Sequence, residues 1–129
     1  MLKELIMRAL LPVLGLLVFA APLPAFAQAA PAAHCAVSVQ FGSYAMGIDR
    51  PAFERVRTLL AHDRGVLTVE HQRWGREGET TLCVQLRKAS DTRRVFGRVK
   101  AALPARPKGP VTLEARGGLR FTAPRSTAR

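Results

Sequence analysis

The sequence predicts one small α+β domain with the element order strand, helix, strand, strand, helix, strand. Three observations predict this order. Apolar and polar residues alternate over several short segments, two longer segments carry apolar residues at helical spacing, and a glycine-rich turn separates two consecutive strands. Together they indicate a single antiparallel sheet that carries both helices on one face.

The first strand and the first helix have clear local signals. Apolar residues alternate with polar or small ones from Cys35 to Phe41, as in a half-buried strand. Asp49 is a credible N-cap, and Pro51 lies in the first turn, where its missing N–H costs nothing. Gly65 is expected to end the helix in a left-handed conformation. The predicted apolar face of this helix consists of Phe53, Val56, Leu59 and Leu60.

A β-hairpin follows this helix. Residues 66–74 form the second strand, with Leu67 and Val69 expected to point toward the core. Residues 75–78 supply a turn with two glycines, and residues 80–87 return as the third strand with apolar residues at every second position. The tip of this hairpin is therefore expected to project from the sheet.

The rest of the chain predicts a second helix and a fourth strand. Ser90 or Asp91 caps the helix and Pro104 ends it. Residues 111–115 alternate as the fourth strand, and after a double glycine residues 119–121 can add a short fifth strand. The apolar positions of the helix are Val95, Phe96, Val99, Ala102 and Leu103.

This element order is the split βαβ arrangement of ferredoxin-like domains. Right-handed crossovers place the first and third strands side by side in the middle of the sheet. An α+β sandwich with a different strand order is the alternative. The predicted topology resembles that of SPOR-type wall-binding modules, which bind glycan strands across their sheet. The likeness rests on topology, without a sequence motif, and assigns no residue a role.

The first 27 residues are typical of a secretory signal peptide that is removed. Lys3 and Arg8 give a positive start, residues 9–21 form an uncharged apolar run, and a small-x-small pattern precedes the expected cleavage between Ala27 and Gln28. The apolar run is shorter than the roughly 20 residues of a membrane span. We therefore expect no transmembrane segment in the mature chain, and an uncleaved N-terminal anchor is the alternative.

The mature chain is expected to contain one basic domain. Residues 28–34 form a flexible lead-in, residues 35–122 the domain and residues 123–129 a disordered tail. The 129-residue chain has a formal net charge of +11. Loss of the leader removes two basic residues and one acidic residue, which leaves about +10. In an exported protein this charge favours anionic envelope components or acidic partners over nucleic acid, and a merely solvated basic surface is the alternative.

Cys35 and Cys83 are the only cysteines of the chain. An even count in a small exported protein favours one disulfide, worth roughly 3–4 kcal/mol for a loop of about fifty residues. Alternation places Cys35 on the same face as Val37 but Cys83 on the opposite face. A disulfide therefore requires a twist, a bulge or a loop conformation at Cys35. Two separate thiols are the alternative.

Catalytic and metal-binding patterns are sparse. Of the three histidines, His71 could pair with Cys83, because the second and third strands are neighbours. The loop after the first strand has Met46 as its only soft donor, and His34 beside Cys35 lies at the other end of that strand. No set of three or four metal ligands is therefore expected. We expect no enzymatic activity, no metal and no cofactor.

Two basic surfaces supply the candidate binding residues. The hairpin tip carries Arg73, Trp74 and Arg76, which combine a flat stacking surface with bidentate anion donors. In the alternative, Trp74 folds back over the open face of the sheet, while Glu77 and Glu79 neutralise the two arginines. The second surface follows the outer side of the second helix and comprises Arg93, Arg94 and Arg98.

These observations predict a non-enzymatic binding module, periplasmic or secreted, that contacts an anionic envelope component or a protein partner. A thiol-dependent redox or metal-handling protein that uses Cys35 and Cys83 is the second hypothesis. A small inhibitor or assembly factor is the third hypothesis. It would dock through a sheet edge, with the second strand or the short terminal strand as that edge.

Overall fold

The structure is a computed structural model that describes residues 34–124. The predicted leader with its cleavage point, residues 28–33 of the lead-in and residues 125–129 lie outside the described residues. The described part contains five strands and two helices. In chain order they are β1 (Val37–Phe41), α1 (Arg50–His62), β2 (Val66–Arg73), β3 (Thr80–Leu86), α2 (Thr92–Ala102), β4 (Val111–Ala115) and β5 (Leu119–Thr122).

The five strands form one antiparallel sheet with the order β2-β3-β1-β4-β5. This arrangement confirms the predicted α+β class, and β1 and β3 are neighbours as the sequence predicted. β5 pairs with β4 and extends the sheet beyond four strands. The two edges are β2 and β5, the strands that the sequence identified as candidate docking edges.

The hydrophobic core lies between one face of this sheet and the two helices. Alternation along β1 directs Val37, Val39 and Phe41 into the core, where all three are fully buried. Both helices contribute to the same cluster of buried side chains. The buried apolar residues of the helices are Ala52, Phe53, Val56 and Leu60 in α1, and Val95 and Val99 in α2.

The start of α1 confirms the predicted N-cap. The Asp49 carboxylate accepts the backbone N–H of Ala52 at 3.1 Å, and Pro51 lies in the first turn. The second carboxylate oxygen of Asp49 accepts the backbone N–H of Lys108 at 2.9 Å. Because Asp49 is buried, one side chain fixes both the start of α1 and the connection between α2 and β4.

The end of α1 differs from the prediction. Gly65 does not adopt the expected left-handed conformation. Asp63 is the C-cap, and its carboxylate accepts the backbone N–H of Gly65 at 2.8 Å, so a side chain closes this turn. A Cβ at this position would lie 2.4 Å from a guanidinium nitrogen of Arg94, so a larger residue would displace that side chain from Asp63.

The inward orientation predicted for Leu67 is wrong. Leu67 is 54% exposed, whereas Val66 and Val69 pack against the core. The pairing of β2 with β3 shifts register between Val66 and Thr68. Such a shift breaks the strict alternation on which the sequence argument depended.

The structure also defines the start of α2 and the C-terminal extent of the ordered domain. A short 3₁₀ turn (Ala89–Asp91) precedes α2, and Asp91 occupies the N-cap position without a side-chain capping bond. The short fifth strand is present as β5. Ala123, which the sequence placed in the tail, is buried and donates its N–H to the carbonyl of Val111 at 3.0 Å. Ordered contacts of the domain therefore extend to this residue.

Candidate functional site

Several element termini meet at one end of the sheet. Because neighbouring strands are antiparallel, β1, β2 and β5 begin at this end, and β3 and β4 end there. The end of α1 and the start of α2 are connected to the same strand ends. Exposed basic residues accompany these termini, and we call this surface the basic end. It comprises Arg64, Arg87, Lys88, Arg93 and Arg116.

A cavity of about 410 Å³ opens at the basic end, between the start of α2 and the turn that joins β4 to β5. Arg93 and Arg116 both line it, and none of the described lining residues is acidic. Leu86 and Leu119 provide apolar wall, and Ser90 adds a hydroxyl group. The volume lies within the range of sites that hold small ligands or single groups of larger ones.

The two arginines of this cavity keep uncompensated positive charge. The Arg93 side chain has no ion pair within residues 34–124. Arg116 donates from Nη2 to the backbone carbonyl of His34 at 2.8 Å, and Gln85 donates to the same carbonyl at 2.7 Å. A carbonyl fixes the Arg116 side chain without neutralising it. Two such guanidinium groups beside apolar wall suit a phosphate or carboxylate group.

The other two predicted binding arginines of α2 have structural partners. Arg94 donates from Nη1 and Nη2 to the Asp63 carboxylate at 2.9 and 3.0 Å, and Arg98 donates to it at 2.7 Å. Asp63 has a side chain that is only 1% exposed, whereas those of Arg94 and Arg98 are 44% and 50% exposed. This cluster links α2 to the end of α1. It pairs two of the three α2 arginines that the sequence analysis proposed as binding residues.

The Asp63 carboxylate is strongly stabilised in its charged form. Hydrogen bonds from Arg94 are the largest cause, and they lower the pKa of Asp63 from 3.8 to about 2. The same interaction raises the pKa of Arg94 above its ordinary value. Burial opposes the change at Asp63, while the backbone N–H of Gly65 and the Arg98 guanidinium support it.

At the hairpin tip, Trp74 lies against the open face of the sheet. Its indole N–H donates to the Thr81 hydroxyl at 3.0 Å, and the residue is 38% exposed. The two glutamates of the tip make contacts other than ion pairs with arginine. Glu79 accepts the backbone N–H of Glu77 at 2.8 Å, and Glu77 accepts the hydroxyl of Ser43. The tip is thereby tied to the β1–α1 loop.

The sequence-predicted binding residues do not form one site. Arg73, Trp74 and Arg76 lie where β2 ends, at the opposite end of the sheet from Arg93. Sequence reasoning missed Arg116, which lines the cavity with Arg93. The strand topology could have identified Arg116. This residue directly follows β4, whose end lies beside the start of β1, at the end of the sheet where α2 begins.

The predicted disulfide is confirmed. Cys35 and Cys83 are bonded, with 5.3 Å between their Cα atoms. Cys35 precedes β1, and the chain bends at Ala36, which is the loop conformation that the face mismatch required. The imidazole Nε2 of His34 lies 3.6 Å from the Cys83 sulfur.

Two sequence expectations about this cysteine pair are corrected. His71 lies opposite Leu82 in the strand register, and its ring contacts Phe53 at 5.2 Å between centroids, so it does not pair with Cys83. In addition, three residues that could bind a metal ion do lie close together, whereas the sequence predicted no such set. The donor atoms of His34, Cys35 and Cys83 all lie within 4.8 Å of one another.

Comparison with known proteins adds no relative. No protein-family model, no curated protein and no solved structure matches the chain. Among the described residues, no helix combines the length and apolar character needed to cross a bilayer.

Proposed function

We propose that this protein is an exported, non-enzymatic binding module for phosphate- or carboxylate-bearing components of the cell envelope. In this proposal the domain is a ferredoxin-like βαββαβ unit to which β5 is added at the edge of β4. The order β4-β1-β3-β2 within the sheet supports that description. The signal-peptide pattern of residues 1–27 and the disulfide support an oxidising, exported location.

The distribution of charge supports an anionic ligand. Within residues 34–124, 16 basic residues stand against eight acidic ones, and several of the acidic groups already have internal partners. Asp63 pairs with two arginines, Glu54 with Arg57 and Glu114 with Arg120. The excess positive charge is therefore directed to solvent, where it attracts polyanions over a distance of several ångströms.

The cavity at the basic end is the observation that carries the proposal. Arg93 and Arg116 line it together, and each guanidinium group can donate two parallel hydrogen bonds to one phosphate or carboxylate. The apolar wall of Leu86 and Leu119 can contact the sugar ring or acyl part that bears the acid.

Binding to isolated cell-wall material and to anionic liposomes, at low and high salt, tests this function. The double variant Arg93→Gln/Arg116→Gln should weaken binding at least about tenfold, because two charge-assisted contacts are lost. The variant Arg55→Gln/Arg106→Gln removes the same net charge from other exposed positions and serves as the control. Comparing the cell-wall material with the liposomes distinguishes a wall polymer from a lipid headgroup as the ligand.

Two results would refute the proposal. One is the absence of salt-sensitive binding to either material, which removes the anionic ligand. The other is an equal loss of affinity in both double variants, which shows that net charge alone attracts the ligand and that the cavity has no role.

A further inference from the structure

We infer that the reduced form of this protein binds a thiophilic divalent cation through His34, Cys35 and Cys83, which we call the redox cluster. In the disulfide form the two sulfurs are bonded to each other and cannot serve as thiolate ligands. The cation site therefore exists only after reduction. No residue of the cluster lines the cavity at the basic end, but Arg116 lines that cavity and also donates to the backbone carbonyl of His34. Cation binding is therefore tested with variants that keep Arg116.

The positions of the donor atoms carry the inference. Ligand atoms around a tetrahedral zinc ion lie roughly 3.3–3.8 Å apart, given metal–ligand distances of about 2.0–2.3 Å. Nε2 of His34 already lies 3.6 Å from the sulfur of Cys83. After cleavage the two sulfurs must separate, and Cys35 can move because it lies in the bend before β1 rather than within the sheet. All three donor atoms lie within 4.8 Å of one another.

Further contacts hold the histidine in place. The backbone carbonyl of His34 accepts hydrogen bonds from Gln85 at 2.7 Å and from Arg116 at 2.8 Å. These bonds fix the chain just before the disulfide, independently of the sulfur–sulfur bond. Reduction therefore leaves the His34 backbone anchored, with its imidazole within reach of Cys83.

Ser38 gives an independent indication that the cluster has a second chemical state. It lies directly opposite Cys83 in the pairing of β1 with β3 and is 1% exposed. Its hydroxyl oxygen has no hydrogen-bond partner within residues 34–124. A buried hydroxyl without a partner is costly, and a thiolate at Cys83 would supply an acceptor that the disulfide lacks. Such a hydrogen bond orients and stabilises a metal-bound thiolate.

Burial also determines the charge of the preferred cation. Cys83 is fully buried and Cys35 is 4% exposed, so a site with net charge is disfavoured. Two thiolates and a neutral imidazole balance a divalent cation, which makes the complex neutral. His34 is exposed, so a water molecule can take the fourth position of a tetrahedral ion.

The chemistry balances with one co-reactant, a dithiol reductant that meets the exported protein. The dithiol transfers two electrons and two protons to the Cys35–Cys83 bond and becomes a disulfide itself, which leaves two protein thiols. The divalent cation then binds both sulfurs, and the two thiol protons pass to solvent. In the reverse exchange, the disulfide form of the same dithiol accepts two electrons from the two thiolates and two protons from solvent, which re-forms the Cys35–Cys83 bond and releases the cation.

The test compares Zn²⁺ binding by the full chain before and after reduction with a phosphine, using competition with a chromophoric chelator. We expect the reduced protein to bind one Zn²⁺ at least about 100-fold more tightly than the disulfide form. Co²⁺ should replace Zn²⁺ and give thiolate-to-metal charge-transfer absorption. Equal Zn²⁺ affinity of the two forms would overturn the inference.

Variants separate the cluster from adventitious binding. His34→Ala should lower the Zn²⁺ affinity of the reduced protein at least about tenfold, whereas His62→Ala, an exposed histidine of α1, should not change it. Ser38→Ala should lower the affinity severalfold without destabilising the disulfide form, in which its hydroxyl has no partner within residues 34–124. Unchanged affinity in His34→Ala contradicts the ligand set.

Reduction also destabilises the fold, so stability provides a second readout. Zn²⁺ should raise the urea midpoint of the reduced wild-type protein, or refold it if reduction alone unfolds it. The same addition should have little effect on reduced His34→Ala. A Zn²⁺ response that is equal in the two reduced proteins, or absent from both, would overturn the inference.

Discussion

Replacement of Asp63 by asparagine tests how the two helices are held together. The carboxylate accepts hydrogen bonds from Arg94, Arg98 and the backbone of Gly65, and its side chain is 1% exposed. An asparagine oxygen can still accept the bond from Gly65. The variant therefore removes the negative charge while it preserves the turn at the end of α1.

The magnitude follows from the pKa of Asp63, which falls from 3.8 to about 2 on folding. A difference of this size corresponds to roughly 2.5 kcal/mol of stability at neutral pH. Because the side chains of Arg94 and Arg98 are about half exposed, solvent screens the interaction and we expect a loss of about 1–2 kcal/mol.

The pH dependence of this loss gives the sharper test. The folded-state pKa lies below the unfolded value, so the stabilisation is complete above about pH 4 and disappears as the pH falls toward 2. Urea denaturation of the wild type and Asp63→Asn at several pH values measures it. The gap in free energy of unfolding should be largest near neutral pH, shrink in acid, and narrow in concentrated salt.

Glu54→Gln is the matched control, because its partner Arg57 and its own side chain are about half exposed. We expect a change below about 0.5 kcal/mol for this i,i+3 pair. The reasoning is refuted if the gap between Asp63→Asn and the wild type does not depend on pH. It is also refuted if Glu54→Gln loses as much stability.

Three further predictions use the same denaturation assay. Gly65→Ala should lose about 1–2 kcal/mol, because its Cβ would lie 2.4 Å from an Arg94 nitrogen and would displace that guanidinium from Asp63. Gly97→Ala in α2 meets no described atom within 4 Å and should gain about 0.5–1 kcal/mol. Equal effects of the two substitutions would contradict this argument. Reduction of the disulfide, which spans a sequence separation of 48, should cost about 4 kcal/mol, and an unchanged urea midpoint after reduction would contradict this value. Trp74→Phe should lose about 1 kcal/mol with the hydrogen bond to Thr81, and full stability would show that this bond contributes nothing.

Most of the architecture could be predicted from the sequence because local signals agreed with one another. Alternation located β1, β3 and β4, and the N-cap signal at Asp49 located the start of α1. The mismatch of faces also predicted a twist, a bulge or a loop conformation at Cys35, and Cys35 does lie outside β1, just before the bend at Ala36. Each of these features depends on residues close together in the chain.

The errors arose where residues distant in sequence determine the outcome. The turn at Gly65 is closed by the Asp63 carboxylate and lies against the Arg94 side chain, and Leu67 is displaced by a register shift against β3. The pairing of Asp63 with Arg94 and Arg98, and the approach of His34 to Cys83, likewise require the folded chain. Periodicity and capping rules contain no information about such contacts.

The candidate site was predicted only in part. Arg93 was identified from the basic surface of the second helix, but its partner Arg116 lies beyond a later strand and joins it through the antiparallel order of the sheet. Arg94 and Arg98 looked equivalent to Arg93 in the sequence. In the structure Arg94 and Arg98 are paired with Asp63, whereas Arg93 has no ion pair within residues 34–124.

Amide NMR mapping of a polyanion titration tests whether the cavity at the basic end binds the anion, because it locates the ligand without a variant. Short-chain polyphosphate added to the labelled protein should shift the resonances of residues 89–93 and 116–119 around the cavity first and most strongly. Those shifts should diminish as salt is raised. Shifts concentrated at the hairpin tip of residues 73–78, or spread evenly over all exposed basic residues, would contradict the assignment of the anion site to the basic end.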